Sequence, residues 1–280
     1  MSIGFIGLGN IGKPMARQLL KLDEEVWVYD LAAAPLAELT ALGAHAARDA
    51  GDLAGRCRMI GLCVRDAADV DALLHGGGVL AAVAPDSIIA VHSTVAQAAL
   101  LGWVAQARAR SIHLLDAPIT GGAAAAESAT LTYMVGGDAA IVERCRPVFM
   151  SSGAKLIHAG PAGSGILLKL CNNLMTYAAL AAIHEADRLA RAGGLDPALL
   201  AEVGRSNGVV TAQMEAFITN RGKLAHIGPQ ALKNMFAPFA ALADKDLGAA
   251  LASARELKLQ LPATERVAAI IDKVFLNQDN

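Results

Sequence analysis

The chain has 280 residues, 54% apolar and 18% charged, which is enough to bury a sizeable core and too apolar for a disordered tail. Lys and Arg number 24 against 26 Asp and Glu, a formal net charge of −2. With no basic run and no basic patch interleaved with aromatics, nucleic acid is excluded as an expected partner.

The first half alternates short apolar runs with helical patterns. Ile3 to Ile6 predicts a strand, followed by Met15, Ala16, Leu19 and Leu20 at helical spacing. Val26 to Tyr29 predicts a second strand, and further strands are expected at Met59–Val64, Ser87–Val91, Ile112–Leu115 and Leu131–Val135. A short last one is expected at Lys155–His158. Near-continuous apolar runs of this kind suit a parallel sheet covered by helices on both faces. After the glycine-rich stretch Gly160 to Gly165, nothing breaks a helix from Ile166 to Ala192. Gly193-Gly194 then stops it, and Asp196-Pro197 reads as a cap with a first-turn proline. The patterns at 231–254 and 263–276 are helical. The expected architecture is therefore an α/β Rossmann-like N-terminal domain (1–163), a long interdomain helix (164–193) and an all-α C-terminal domain (194–280).

The N-terminus shows no basic segment or small-residue cleavage pattern, so no signal peptide is expected. The apolar run Leu174 to Ile183 is short for a membrane span and is flanked by Asn172, Asn173, His184 and Glu185. Cys57, Cys63, Cys145 and Cys171 lack CxxC spacing and sit in apolar runs, which predicts reduced core cysteines in a cytoplasmic protein.

The sharpest local signal is Gly7-Leu8-Gly9-Asn10-Ile11-Gly12, placed after a strand and opening a helix. In such a turn Gly7 permits the tight bend, Gly9 removes a side chain that would block a pyrophosphate, and Gly12 lets helix and strand pack closely. The helix start offers free N–H groups to phosphates. Asp30, ending the second strand, can accept hydrogen bonds from ribose hydroxyls and would repel a 2′-phosphate. That predicts NAD in preference to NADP.

Further along, Lys169 and Asn173 are four residues apart on one face of the predicted long helix. They read either as a catalytic pair near a domain boundary or as a snorkelling lysine and an interhelical amide. The turn Thr120-Gly121-Gly122, after Asp116-Ala117-Pro118-Ile119, exposes a hydroxyl and backbone N–H groups suited to a carboxylate, or is simply a glycine turn. Ser93-Thr94 invites the same two readings. His92 and His113 read as satisfied core or edge histidines. His45, His75, His158, His184 and His226 show no metal spacing, so no metal is expected.

With these pieces assembled, the chain resembles the β-hydroxyacid dehydrogenase family, the 3-hydroxyisobutyrate dehydrogenase-like enzymes related to 6-phosphogluconate dehydrogenase. The resemblance covers nearly all 280 residues and rests on five segments: GLGNIG at 7–12, STV at 93–95, DAPITGG at 116–122, GPAGSGILLKLCNN at 160–173 and KDL at 245–247. It implies an oxidoreductase that moves a hydride between NAD and a small 3-hydroxy acid or its carbonyl form. Lys169 then corresponds to the catalytic lysine and Asn173 to its substrate-orienting partner. Thr120, Gly121 and Gly122 correspond to the loop that holds the substrate carboxylate, Thr120 standing where most members have serine. Thr94 falls beside the nicotinamide ribose, and Lys245 is similar to a lysine reaching cofactor and substrate. The helical domain would read the rest of the substrate, with Asn207-Gly208 as a turn, and members usually form homodimers or homotetramers.

Three places depart from the family pattern. Ile11 replaces a usual methionine, Val64-Arg65 replaces a Leu-Pro pair on the adenosine side, and Ala125 and Ala129 replace glycines beyond the substrate loop. Two alternatives share these features: an imine reductase on the same scaffold, and a non-catalytic dinucleotide-binding interaction protein. The intact Lys169, Asn173 and Thr120-Gly121-Gly122 set argues against both.

Overall fold

The computed structural model describes residues 2–224 and 227–276. They fall into two compact units, Met1–Lys169 and Leu170–Asn280. The first unit begins with β1 (Ile3–Ile6), α1 (Gly12–Leu19), β2 (Val26–Tyr29), α2 (Ala33–Ala41), β3 (His45–Ala46), α3 (Ala50–Arg56) and β4 (Met59–Leu62). It continues through α4 (Ala67–Leu74), α5 (Val79–Ala82), β5 (Ile88–Val91), α6 (Gln97–Arg108) and β6 (His113–Asp116). Then come β7 (Ile119–Thr120), α7 (Gly122–Glu127), β8 (Leu131–Gly136), α8 (Ala139–Ser152) and β9 (Gly153–Gly160). Helix α9 (Ser164–Ala192) begins in the first unit and runs into the second, which adds α10 (Pro197–Ser206), α11 (Ala212–Leu224), α12 (Pro229–Glu256), α13 (Pro262–Ala268) and α14 (Ile271–Leu276).

The strands form one sheet in the order β3-β2-β1-β4-β5-β6-β8-β7, with β9 added on β8. From β3 to β6 all pairings are parallel. Strands β1, β4 and β5 are buried throughout, which is why they stand out in sequence as unbroken apolar runs. The expected purely parallel sheet needs correcting at its far side. Strand β8 is antiparallel to β6 and β7, and β9 is parallel to β8. The chain between β6 and β8 is spent on β7, which pairs with β8 directly, and on the six-residue α7. That leaves no room for the longer crossover a parallel return requires. Strand β3, two exposed residues long, has no apolar run to announce it.

Behind the sheet, Tyr133 and Phe149 stack at 5.0 Å, and the buried His92 ring meets both edge-on at 5.9 Å. Its Nδ1 donates to the Ala117 carbonyl at 2.8 Å. Burial pushes the His92 imidazole down to about 4 from its ordinary 6.5. Between those values the unfolded chain binds a proton that the folded one does not, so stability falls as pH drops through this window. We expect His92 to cost on the order of 3 kcal/mol of stability between pH 7 and pH 4. Urea midpoints should fall less steeply with pH in His92→Gln, and equal slopes would refute the assignment.

In the second unit, α9 presents Leu170, Asn173, Tyr177, Leu180, Ala181, His184 and Asp187 as one buried stripe at helical spacing. Tyr177, Leu180 and Ala181 pack with Ala243 and Leu247 of α12 and with Ile271 and Val274 of α14. By length and composition α9 is able to cross a membrane, against the expectation of too short a span. Its buried stripe nonetheless carries the polar Asn173, His184 and Asp187, and Tyr177, Leu180 and Ala181 of that stripe pack on α12 and α14. A second correction concerns the cysteines: all four are free, Cys57 and Cys145 are buried and Cys63 is intermediate, but Cys171 is exposed. It lies in an apolar stretch of sequence, yet on the outer side of α9.

Candidate functional site

The six-residue turn after β1 gives its three glycines three different reasons. Gly7 has φ +95°, and a Cβ there would lie 2.3 Å from the Cys63 carbonyl oxygen. A Cβ on Gly12 would fall 1.9 Å from the carbonyl oxygen of Gly7, so only glycine lets α1 start this close to the turn. At Gly9 a Cβ would meet nothing within 4 Å, so this glycine borders open space. Leu8 is buried, Asn10 is exposed and Ile11 is partly buried. Ile11 precedes α1 and supplies no side-chain cap, and no acidic residue lies in the helix's first turn. Helices α3 and α4, by contrast, begin on Asp49 and Asp66. An uncapped helix start beside open space fits a dinucleotide pyrophosphate.

Asp30 closes this turn from β2. Its Oδ2 accepts the Leu8 N–H at 2.6 Å and its Oδ1 the Ala32 N–H at 2.7 Å. On the other side, Val64 N–H donates to Ser93 Oγ at 3.0 Å, and Ser93 Oγ donates to the Val64 carbonyl at 2.7 Å. This exchange ties the ends of β4 and β5 and fixes the backbone next to Thr94, which is partly buried. Gly7, Asp30, Val64 and Thr94 thus share the carboxyl edge of the parallel strands, where open α/β sheets bind ligands. Arg65 is exposed and grips Asp69 one turn along at 2.9 and 3.1 Å, which steadies the start of α4 and holds the Asp69 carboxyl below its usual range.

Beyond β6, Thr120 is partly buried, while Gly121 (φ +125°) and Gly122 (φ +70°) take backbone shapes that favour glycine. A Cβ on Gly121 would lie 2.5 Å from the Ala125 methyl, so Ala125 packs under the turn. Ala129 holds φ +56°, a strained shape for a residue with a Cβ. Lys169 is partly buried on the second turn of α9. The residue that sequence reasoning passed over here is Asp116. It is wholly buried at the end of β6 and accepts the N–H groups of Gly163 at 2.8 Å and Ile166 at 2.7 Å. Desolvation holds its carboxyl above the ordinary value, and those backbone donors offset only part of that rise.

In the second unit, Asn173 is buried and its Nδ2 donates to Oδ2 of Asp246 at 2.8 Å. Tyr177 O–H donates to the same oxygen at 3.1 Å, and Nζ of Lys245 stands 3.1 Å from Oδ1. Asn173 thus bonds across from α9 to α12, its amide orientation set by Asp246. Burial and the Asp246 charge push the Tyr177 phenol well up, keeping it a neutral donor. Asp246 and Tyr177 also escaped the sequence reading. The signals were there, since Tyr177 follows Asn173 by one turn and Asp246 follows Lys245. Asn207 ends α10 and Gly208 has φ +77°. Among the described residues no three His, Cys, Asp or Glu side chains are grouped to hold a metal. His226 lies outside the described residues.

A family model described as the NAD binding domain of 6-phosphogluconate dehydrogenase matches residues 2–160. One described as NAD-binding of NADP-dependent 3-hydroxyisobutyrate dehydrogenase matches residues 163–279. The 2-(hydroxymethyl)glutarate dehydrogenase of Eubacterium barkeri is 35% identical over 277 residues, 97% of this chain and 88% of its own. The structure of Mycobacterium tuberculosis 3-hydroxyisobutyrate dehydrogenase with L-serine matches with a TM-score of 0.82 at 29% identity, covering 97% of this chain and 92% of that one. Psf3 in complex with NADP+ and 2-OPP gives a TM-score of 0.81 at 23% identity, covering 97% and 93%.

These findings correct the expected preference for NAD over NADP. The model matched by residues 163–279 is that of an NADP-dependent enzyme. The expectation leaned on Asp30 alone, and that carboxylate also serves the fold: its two oxygens accept the Leu8 and Ala32 N–H groups and so hold the turn.

Proposed function

Because the chain belongs to the β-hydroxyacid dehydrogenase family, whose members are NAD(P)-dependent oxidoreductases, we propose that it interconverts a small hydroxy acid and its carbonyl form, with Lys169 moving the proton. A bound nicotinamide dinucleotide supplies the hydride acceptor or donor. In this reading residues 1–163 hold the dinucleotide, 164–193 carry the proton-transfer group, and 194–280 read the rest of the substrate. Gly7, Leu8, Gly9, Asn10, Ile11 and Gly12 cradle the pyrophosphate, while Asp30, Val64 and Thr94 line the same sheet edge. The Thr120 hydroxyl and the N–H groups of Gly121 and Gly122 hold the substrate carboxylate.

For oxidation, Lys169 must be uncharged to accept the hydroxyl proton, although a free lysine has a pKa of about 10.4. Apolar neighbours and a nearby positive charge both favour the neutral amine. For reduction, the ammonium polarises the carbonyl and returns the proton. Asn173, held by Asp246, orients the substrate without adding charge at the amine, and Lys245 reaches cofactor and substrate from α12.

The observation that carries this reading is the open space at Gly9 beside the uncapped start of α1, in the unit whose last residue is Lys169. The test is the appearance of reduced nicotinamide over a panel of small 2- and 3-hydroxy acids at alkaline pH, with NAD and NADP in parallel. The panel includes 3-hydroxyisobutyrate, threonate and L-serine, the molecule present with the M. tuberculosis enzyme. Turnover of at least one acid is expected. A flat response across the panel with a tightly bound dinucleotide would instead support a non-catalytic binding protein. Leu189, Leu195, Leu199 and Val203 are exposed in the second unit, which supports a homodimer or homotetramer, and light scattering giving a monomer would refute it.

A further inference from the structure

Building on the role given to Lys169, we infer that Asp116 is a positioning residue: its buried carboxylate anchors the first turn of α9 and thereby sets where the Lys169 amine stands. The first N–H groups of a helix have no partner inside it and are normally met by the side chain of the residue just before it. Before α9 that residue is Gly163, which has no side chain to offer. Asp116 takes over the task from another element, one oxygen on the Gly163 N–H at 2.8 Å and the other on the Ile166 N–H at 2.7 Å. A bidentate hold of this kind fixes both the height and the rotation of the helix start.

The surroundings are shaped to this carboxylate. Gly136 faces Asp116 across the sheet, and a Cβ there would lie 2.4 Å from Oδ1. At Gly165 a Cβ would lie 2.4 Å from the Met134 carbonyl oxygen and 3.0 Å from Oδ2. Two glycines on two elements therefore keep clear the place where sheet and helix meet. A buried carboxylate is costly unless hydrogen-bonded, and here it is bonded to the helix that bears the reacting group. Lys169 follows the anchored Ile166 by three residues, less than one helical turn, so a shift of the first turn passes to its amine with little loss. Displacing a reacting group by about 1 Å costs roughly 100-fold in rate.

The test compares Asp116→Asn and Asp116→Ser with Lys169→Ala in the full chain, on the best acid from the panel. Asn keeps the size of Asp but turns one acceptor into a donor facing an N–H. Ser keeps one acceptor in a smaller side chain and serves if the Asn variant does not fold. The expected result is a kcat lowered by roughly 10- to 100-fold per dinucleotide-binding site, with dinucleotide Kd by calorimetry within about twofold of the parent. A purely structural residue would lower the number of competent sites and leave kcat per site intact. Unchanged kcat per site in a folded variant, or a Kd that worsens in step with kcat, overturns the inference. If Lys169→Ala retains turnover, the role of Lys169 itself falls. If Lys169→Ala is inactive while Asp116→Asn and Asp116→Ser keep their kcat, only the role of Asp116 falls.

Discussion

Lys169→Ala is expected to lose on the order of 1,000-fold in kcat while the dinucleotide still binds within about threefold of the parent affinity. The asymmetry follows from where the residues stand. Lys169 lies on the second turn of α9, whereas the proposed pyrophosphate cradle is the turn between β1 and α1. Removing the amine leaves the hydroxyl proton with water alone, and general acid–base catalysis by a positioned group is worth between about 100- and 10,000-fold. Lys169→Arg sharpens the argument. A guanidinium keeps the positive charge but cannot give up its proton in a protein, so it should stay inactive in the oxidative direction. Recovery of most turnover by Lys169→Arg, at saturating substrate, would mean that the residue acts by charge and not by proton transfer.

Gly9→Ala and Gly12→Ala should fail in opposite ways. The methyl added at Gly9 enters open space, so the melting temperature should hold while dinucleotide affinity drops 10-fold or more. The methyl added at Gly12 lands 1.9 Å from the Gly7 carbonyl oxygen, and backbone on both sides has little freedom to give. Overpacking of this kind typically costs about 1–3 kcal/mol, occasionally more, and should appear as a lowered melting temperature or failed folding. Calorimetric melting and dinucleotide titration of both variants check the pair. Parent-like affinity in Gly9→Ala would remove the basis for placing the pyrophosphate at this turn.

The nucleotide end was legible in sequence because its parts are local. Gly7, Gly9 and Gly12 lie within six residues, and the strand ending at Asp30 follows directly. Gly12 is required by the Gly7 carbonyl in the same turn and Gly7 by Cys63 just after β4, while Gly9 has no neighbour within 4 Å. The placing of Lys169 and Asn173 four residues apart on α9 was legible for a similar reason, since helical spacing alone sets it. The cofactor preference was not legible. Asp30 in sequence is a lone acid at a strand end, and only the structure reveals that it also accepts the Leu8 and Ala32 N–H groups and holds the turn.

Sequence by itself determined seven of the nine strands of the α/β half, the glycine turn, the long helix and the placing of Lys169 upon it, but not the two-residue β3 and β7. Periodicity and turn chemistry act over a few residues, and those patterns survive in the linear chain. Tertiary structure alone decided the antiparallel β8, the outward face of Cys171, the anchoring of α9 by Asp116 and the bond from Asn173 to Asp246. The last two join residues 47 to 73 positions apart. A buried carboxylate takes whichever donors the packed elements bring to it, and no local spacing specifies which they will be.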